Sequence, residues 1–244
     1  MTMRSYRDGC AVAHAMELVG ERWALLVVRE LLLGPKRYGD LHRGLPGVSH
    51  TVLSQRLREL EAGGVLRRAR HGPPVSSWLY GLTEWGQQIE PIVVHLGRWA
   101  GRSPLLDRDA GLSPDALVLH MRARFDAPRA GHLHADYELR LGDDCFALHV
   151  TAGTITAHRQ PLPGADASVE TDTATLAALL RGQSDLDTAR STDQLRLIGD
   201  APAVERLIDA CTPPTDEPAA PAPSQLPPFR TSDARTECTP ASSI

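Results

Sequence analysis

The sequence is poor in cysteine and aromatic residues and has no long apolar run. Its four cysteines, Cys10, Cys145, Cys211 and Cys238, are scattered without a C-x-x-C pair, which argues against a zinc site and a disulfide framework. No segment approaches the roughly 18 consecutive apolar residues of a membrane-spanning helix, and the first residues lack the apolar core of a signal peptide. We therefore expect a cytoplasmic protein without membrane association.

What the chain does have is a globular composition and an uneven distribution of charge. Its hydrophobic content is 42%, and its 244 residues are enough for two modest domains. The net charge of −4, taken alone, argues mildly against a nucleic-acid partner. However, residues 1–105 hold 14 Lys and Arg against 9 Asp and Glu, whereas residues 106–244 hold 12 against 21. The basic front part is therefore the candidate for phosphate contacts.

The segment Ser49–Ala62 has the pattern of an amphipathic helix, for which Ser49 is a good N-cap. At about 100° per residue, Leu53, Leu57 and Leu60 fall on one arc. The opposite arc carries hydroxyl, amide and guanidinium groups, from Thr51, Ser54, Gln55 and Arg58. Such a surface suits the major groove of DNA, where these groups meet base edges and phosphates. An ordinary surface helix is the alternative for this segment taken alone.

Shorter helical patterns precede this segment, over residues 11–19, 23–33 and 38–45. A Pro46-Gly47 turn then leads into the helix that begins at Ser49. A short helix, a tight turn and a helix with a polar surface form the order of a helix-turn-helix, whose second helix reads DNA. His50, at the start of that helix, is expected to meet phosphate.

A basic hairpin is predicted after the helix. Gly63-Gly64 ends the helix, and extended runs at 65–71 and 75–83 are joined by a Gly72-Pro73-Pro74 turn. The first run carries three arginines that we expect to contact phosphates, Arg67, Arg68 and Arg70. A solvated hairpin is the alternative. The next helix, 84–101, has an apolar stripe more typical of contact with a partner chain than with solvent.

Several motifs of this front part match a known family. They are Cys10, Gly20-Glu21-Arg22-Trp23, Arg37-Tyr38-Gly39-Asp40-Leu41, the run LSQRLRELE at 53–61, Pro73-Pro74, and Tyr80-x-Leu82-Thr83-x-x-Gly86. In these motifs, over about 90 residues, the sequence resembles the HxlR-type winged helix-turn-helix regulators. The resemblance implies a transcription factor that binds pseudo-palindromic double-stranded DNA as a homodimer, paired through its first and last helices.

Cys10 has two interpretations. In several members of that family the N-terminal cysteine senses oxidants or electrophiles. A thiol at a helix N-terminus near Arg4, Arg7 and Arg22 could have a lowered pKa and react as the thiolate. The alternative is a structural cysteine, half-buried at a dimer interface.

The back half has the order of an α+β layer structure. Helices are predicted for 114–125, 172–180 and 200–211, and strands for 132–141, 146–150, 155–158, around Val169, and 195–198. The hairpin-rich order predicts an antiparallel sheet covered by helices.

Short motifs of this half resemble the sterol carrier protein type-two fold. They are Tyr137-Glu138-Leu139-Arg140-Leu141, VTAGTIT at 150–156, ASVETDTATLAALL at 167–180, and LRLIGD at 195–200. The resemblance implies an apolar tunnel and a small hydrophobic ligand. Candidate ligand-binding residues are His120, Arg124, Phe146 and His149, because apolar pockets use a few placed polar groups. For any one of them taken alone, an ordinary surface or core residue is the favoured alternative.

No constellation of residues indicates catalysis. His132 and His134 could chelate a metal from one strand surface, but no acid or cysteine stands at a suitable spacing. We therefore expect no metal, no cofactor and no enzymatic activity. The segment after Thr212 is rich in Pro, Ala, Ser and Thr, which predicts a disordered tail.

Together these features predict an α+β two-domain protein. Residues 1–104 form a winged helix-turn-helix, mainly α with a β-hairpin wing, for DNA binding and dimerisation. Residues 112–211 form a sterol-carrier-protein-like α+β sheet domain that binds an effector, and 212–244 is the disordered tail. The predicted function is a ligand-responsive transcriptional regulator. The alternatives are a redox-sensing regulator switched through Cys10, and a lipid-carrier or enzymatic module.

Overall fold

The computed structural model describes residues 5–71 and 77–212, and the predicted Gly72-Pro73-Pro74 turn and the Pro-rich segment after Thr212 lie outside these residues. The front part is a winged helix-turn-helix. Its helices are α1 (Ala11–Val19), α2 (Ala24–Leu31), α3 (Tyr38–Gly44), α4 (His50–Ala62), α5 (Glu84–Gln87) and α6 (Glu90–Gly101). Its strands are β1 (Lys36–Arg37), β2 (Leu66–His71) and β3 (Ser77–Leu82).

The core of this part forms where the apolar side of α4 packs against α2 and α3. Leu31, Leu41, Leu53 and Leu60 are all buried there. The helix expected over 23–33 is shorter than predicted. It starts at Ala24 because Trp23 has a left-handed backbone, with φ 79°, and it ends at Leu31.

The wing is the hairpin of β2 and β3, and β1 adds a third strand that the sequence did not predict. The strand order is β1-β3-β2, with Lys36 opposite Tyr80. A two-residue strand has too few positions to show an alternating pattern, so it has no local signal. The helix expected over 84–101 is divided into α5 and α6 around Gln88 and Ile89.

The back part is a separate domain in which helices cover a five-stranded sheet. Its helices are α7 (Pro114–Arg124), α8 (Ala127–Ala130), α9 (Thr173–Leu180), α10 (Leu186–Ser191) and α11 (Ala201–Cys211). Its strands are β4 (Ala135–Leu141), β5 (Asp144–Thr151), β6 (Thr154–His158), β7 (Ala167–Thr171) and β8 (Leu195–Gly199). Tyr137, Phe146, Leu148 and Met121 are buried in its core.

The sheet is mixed, so the prediction of an antiparallel sheet is wrong at one pair. The strand order is β6-β5-β4-β7-β8, and β7 runs parallel to β4, from Tyr137 opposite Ala167 to Leu141 opposite Thr171. The chain leaves β6 at one edge and crosses to the far side of β4. A parallel neighbour requires such a crossover, which strand patterning alone does not reveal.

Two further differences concern the ends and the number of elements. The first strand begins at Ala135, so His132 and His134 precede it instead of lying on its polar side. The short helices α8 and α10 were not predicted, because one or two turns give little periodicity. Across the part of the chain that the structure describes, no helix is long and apolar enough to cross a bilayer.

The two domains meet at a buried group of charges that we call the interdomain ion cluster: Glu30, Lys36, Asp115 and Arg159. Lys36 Nζ donates to Glu30 Oε2 at 2.6 Å and also to Asp115, which accepts from Arg159 as well. The backbone N–H of Arg159 donates to the Leu33 carbonyl at 2.6 Å. Glu30 and Asp115 are fully buried, so this cluster links the two domains through charges that water screens only weakly.

Candidate nucleic-acid interface

Helix α4 has the two surfaces that its sequence predicts. The Ser49 hydroxyl accepts from the Val52 N–H at 3.3 Å and caps the helix. Leu53, Leu57 and Leu60 are buried, so the helix is anchored along one side. This leaves the opposite side for other contacts.

That opposite side is polar and accessible to different degrees. Thr51 and Arg58 are exposed, whereas Ser54 and Gln55 are half-buried. Arg58 Nη2 donates to Gln55 Oε1 at 2.8 Å, and Gln55 Nε2 donates to Glu59 Oε1 at 2.5 Å. A carboxylate therefore lies closer to the polar row than the sequence indicated. Thr51 and Arg58 are the residues of the row best placed to reach a ligand.

The start of α4 carries an aromatic stack that sequence reasoning missed. The rings of His42 and His50 are parallel, with centroids 4.0 Å apart, and the Tyr38 ring is 5.8 Å from that of His50. The Tyr38 hydroxyl donates to the His50 carbonyl at 3.0 Å and accepts from Ser54 Oγ at 3.3 Å. These contacts join α3 to the exposed first turn of α4. The sequence did hold a signal for this stack, because Tyr38 and His42 are ring residues spaced one helical turn apart.

The basic side chains of the wing stand out from β2. Arg67, Arg68 and Arg70 are exposed. Arg68 lies with its guanidinium carbon 5.1 Å from the centre of the Trp78 ring and pairs with Glu61 at 3.3 Å. The cation–π contact and the ion pair orient Arg68, and Glu61 offsets part of its charge.

Cys10 is exposed and precedes α1 as its N-cap residue. The backbone N–H groups of Ala13 and Val12 lower the pKa of its thiol below the ordinary value. The sequence led us to expect both a helix N-terminus and nearby arginines as the cause, and Arg4 lies outside the described residues. The helix N-terminus supplies the effect, and Arg7 and Arg22 are not among its causes.

The structure does not bring the four candidate ligand-binding residues together. Phe146 is buried, and Arg159 lies 4.7 Å from its ring centre. His149 stands three positions further along β5, so strand alternation directs it to the other surface of the sheet, where its Nδ1 lies 2.7 Å from Asp136 Oδ1. His120 and Arg124 lie on α7.

His120 has a perturbed protonation equilibrium. Burial, together with the positive charges of Arg124, Arg181 and Arg108, lowers the pKa of its imidazole to about 4. The ring is therefore neutral at pH 7. Within residues 5–71 and 77–212, no three His, Cys, Asp or Glu side chains are grouped to hold a metal ion.

Comparison with known families divides the chain in the same way. Residues 18–104 match the family described as HxlR-like helix-turn-helix, and residues 107–217 match the family described as Alkyl sulfatase C-terminal.

Individual proteins match each part separately. The HTH-type transcriptional regulator YybR of Bacillus subtilis, itself uncharacterized, is 31% identical over 93 residues, which is 38% of this chain and 74% of that protein. The redox regulator HypR in its oxidized form is 30% identical and covers 40% of this chain and 100% of its own, with a TM-score of 0.37. The inverting sec-alkylsulfatase Pisa1 from Pseudomonas sp. is 24% identical and covers 41% of this chain and 16% of its own, with a TM-score of 0.39.

Proposed function

The chain belongs to the HxlR-like helix-turn-helix family of transcriptional regulators, and we propose that it binds a pseudo-palindromic operator as a homodimer and responds to a small hydrophobic effector. The proposed parts are residues 1–104 for DNA binding and dimerisation, 112–211 for effector binding, and a tail from 212. We expect it to act in the cytoplasm.

The observation that carries the DNA-binding assignment is the exposed polar side of α4. Three buried leucines hold the helix in place, so Thr51 and Arg58 can enter a groove without loss of the core. Ser54 and Gln55 would complete the contact from half-buried positions. Ser49 and His50 at the helix start, with Arg67, Arg68 and Arg70 on the wing, would contact phosphates.

The proposed homodimer would cover apolar side chains that one chain leaves in water. On α6, Ile92, Leu96 and Trp99 are exposed, and Trp99 keeps 67% of its surface accessible. On α1, Val12 and Met16 are also exposed. A two-fold pairing through these helices would bury large apolar residues and place two copies of α4 about one DNA turn apart, ~34 Å.

The effector role rests on the second domain. We propose that it has the sterol-carrier-like arrangement and binds an apolar ligand, with His120, Arg124 and Phe146 as candidate contacts. His149, on the other surface of the sheet, would not reach the same ligand. The family matched by this domain takes its name from the C-terminal part of an enzyme, which keeps a lipid-carrier or enzymatic module as an alternative. That alternative requires that the protein bind no duplex DNA at moderate salt.

Replacement of Arg58 by alanine tests the DNA-binding assignment. We expect the free energy of operator binding, measured by fluorescence anisotropy, to become less favourable by roughly 1–3 kcal/mol. This is the free energy that one good base contact contributes. Arg190→Ala, an exposed arginine on α10, is the matched control and should bind as the wild type does. Equal affinity of the Arg58 and Arg190 variants would count against the assignment.

A redox switch is the second candidate function, supported by the exposed Cys10 with its lowered thiol pKa. Cys10→Ser separates the two mechanisms. A variant whose DNA binding ignores peroxide or diamide, although the wild type responds to them, would assign oxidant sensing to Cys10.

A further inference from the structure

A cleft with a volume of about 650 Å³ lies between the two domains. The DNA-binding part contributes one wall, from α2, α3 and the turn after α3. The second domain contributes the other wall, from the segment before α7, the β4–β5 turn and the start of α9. Ligand sites of this size, 300–1,000 Å³, occur preferentially between domains. None of His120, Arg124, Phe146 and His149 lines this cleft.

Apolar side chains line the cleft from both domains: Trp23, Leu26, Leu45, Leu112 and Leu141. Leu26 and Leu112 retain 38% and 36% of their surface exposed to water. A molecule that covered them would remove apolar surface from water, which stabilises the bound state.

Most of the charged groups of the cleft already have partners within the protein. Arg29 Nη2 donates to Glu30 Oε1 at 2.8 Å, and Lys36 donates to Glu30 Oε2 at 2.6 Å. Asp144 pairs with Arg159, and Asp172 accepts from the N–H of Thr175 as the cap of α9.

At the mouth of the cleft the charges are paired or exposed to water. Arg43 pairs with Asp40 at 3.5 Å, and Asp143 lies exposed at the rim. A charged ligand would have to compete with these pairs and lose its own hydration. The cleft therefore favours an uncharged molecule.

Trp23 connects the cleft to the helix-turn-helix. Its φ of 79° lies in a region that bulky residues rarely adopt, and such residues persist where the surrounding structure enforces them, often at ligand sites. A Cβ added at Gly47, which itself has φ 89°, would lie 3.8 Å from the Trp23 ring. Gly47 belongs to the turn that orients α4. A ligand in contact with Trp23 would therefore touch a side chain that lies beside the turn of the helix-turn-helix.

We propose that this interdomain cleft binds an uncharged, mainly apolar small molecule and that binding there alters the orientation of α4. This regulatory role rests on the proposed DNA-binding function, whereas binding in the cleft can be measured without DNA. The ligand contacts both walls, so it favours one spacing of the two domains over another. An effector acts by such a difference in affinity between two states.

The probe for this site is Nile red, an uncharged apolar dye, titrated into the full-length protein and followed by its fluorescence anisotropy. Leu26→Trp and Leu112→Trp each place a larger ring in the cleft from a different wall. We expect one dye per chain for the wild type and at least tenfold weaker binding for both variants. Ile198→Trp, an exposed position on β8 away from the cleft, is the matched control and should bind as the wild type does.

Two results would overturn the site. Dye binding unchanged in both cleft variants, with their thermal unfolding intact, would place the dye elsewhere. Displacement by octanoate as effective as displacement by octanol would overturn the uncharged class of ligand.

The regulatory role has its own readout, the affinity of the dye for free and operator-bound protein. We expect at least a threefold difference between the two, because coupling between sites is reciprocal. Equal affinities would overturn the regulatory role and leave the binding site standing. A wild-type protein that binds no operator would instead refute the proposed function, while dye binding in the cleft would remain.

Discussion

Replacement of Lys36 by methionine tests whether the interdomain ion cluster stabilises the protein. Lys36 is only 4% exposed and donates to two carboxylates, Glu30 and Asp115, that are fully buried. Methionine keeps much of the aliphatic volume but removes the charge and the donors. Both carboxylates then remain buried with fewer partners.

The expected loss follows from what each carboxylate retains. Glu30 would keep Arg29 and the Ser113 hydroxyl, which donates to it at 2.6 Å, and Asp115 would keep Arg159. Removal of one partner from a buried ion pair typically costs 3–5 kcal/mol. With these remaining partners we expect about 3 kcal/mol, a large part of the 5–15 kcal/mol by which domains are usually stable.

The pH dependence of this loss has a definite sign. Burial raises the pKa of Asp115 more than the neighbouring positive charges lower it. A carboxyl with a raised pKa binds more protons in the folded state, so stability falls as pH rises through the folded pKa. Without Lys36 this pKa should rise further. The Lys36→Met variant should therefore lose more stability than the wild type between acidic and neutral pH.

Equilibrium urea unfolding, followed by fluorescence and circular dichroism, measures the effect. Arg43→Met is the matched control, because Arg43 is 69% exposed and its pair with Asp40 should contribute at most about 1 kcal/mol. A loss in Lys36→Met no larger than that in Arg43→Met, at pH 5 and pH 8 alike, would refute the reasoning about buried charge.

Further predictions concern the pH dependence, the dimer and the thiol. The pKa of His120 is lowered to about 4, so the unfolded chain binds more protons than the folded one between pH 6.5 and 4. The free energy of unfolding should therefore decrease as pH falls through this range, by about 3 kcal/mol at most. Urea unfolding of His120→Gln should lack this decrease. If the proposed homodimer pairs through α1 and α6, Trp99→Asp should be monomeric in analytical ultracentrifugation, whereas Ile198→Asp should remain dimeric; an unchanged Trp99 variant would place the interface elsewhere. Cys10→Ser should bind operator normally but resist diamide, and retained sensitivity would exclude Cys10 as the sensor.

The elements with a strong local pattern could be predicted from the sequence. Helix α4 combines a cap at Ser49 with leucines at helical spacing, and both signals are local to that segment. The strands β4 to β6 alternate and are joined by tight turns, so they too were expected. The position of α4 within a helix-turn-helix could also be predicted, because the order of helices and turns is local. The exposed polar residues of α4 follow from its helical spacing, since the leucines on the opposite side are buried.

The features without such patterns could not be predicted. Lys36 and Asp115 are 79 positions apart, and no spacing rule connects them. Arg29 and Glu30 are two adjacent charged residues inside an otherwise apolar run, and their presence there was the available signal for buried charge with a distant partner. The parallel pairing of β4 with β7 and the cleft between the domains both arise from long-range packing.

Selection of DNA fragments from the host genome by the purified protein, followed by sequencing, tests DNA recognition most directly. The wild type should enrich sites with two-fold symmetry whose half-sites are centred about one helical turn apart, roughly 34 Å. Arg58→Ala should enrich them weakly, and Arg190→Ala should enrich them fully. Absence of any enriched sequence for the wild type, or identical enrichment by all three proteins, would contradict the role of α4 as the element that reads DNA.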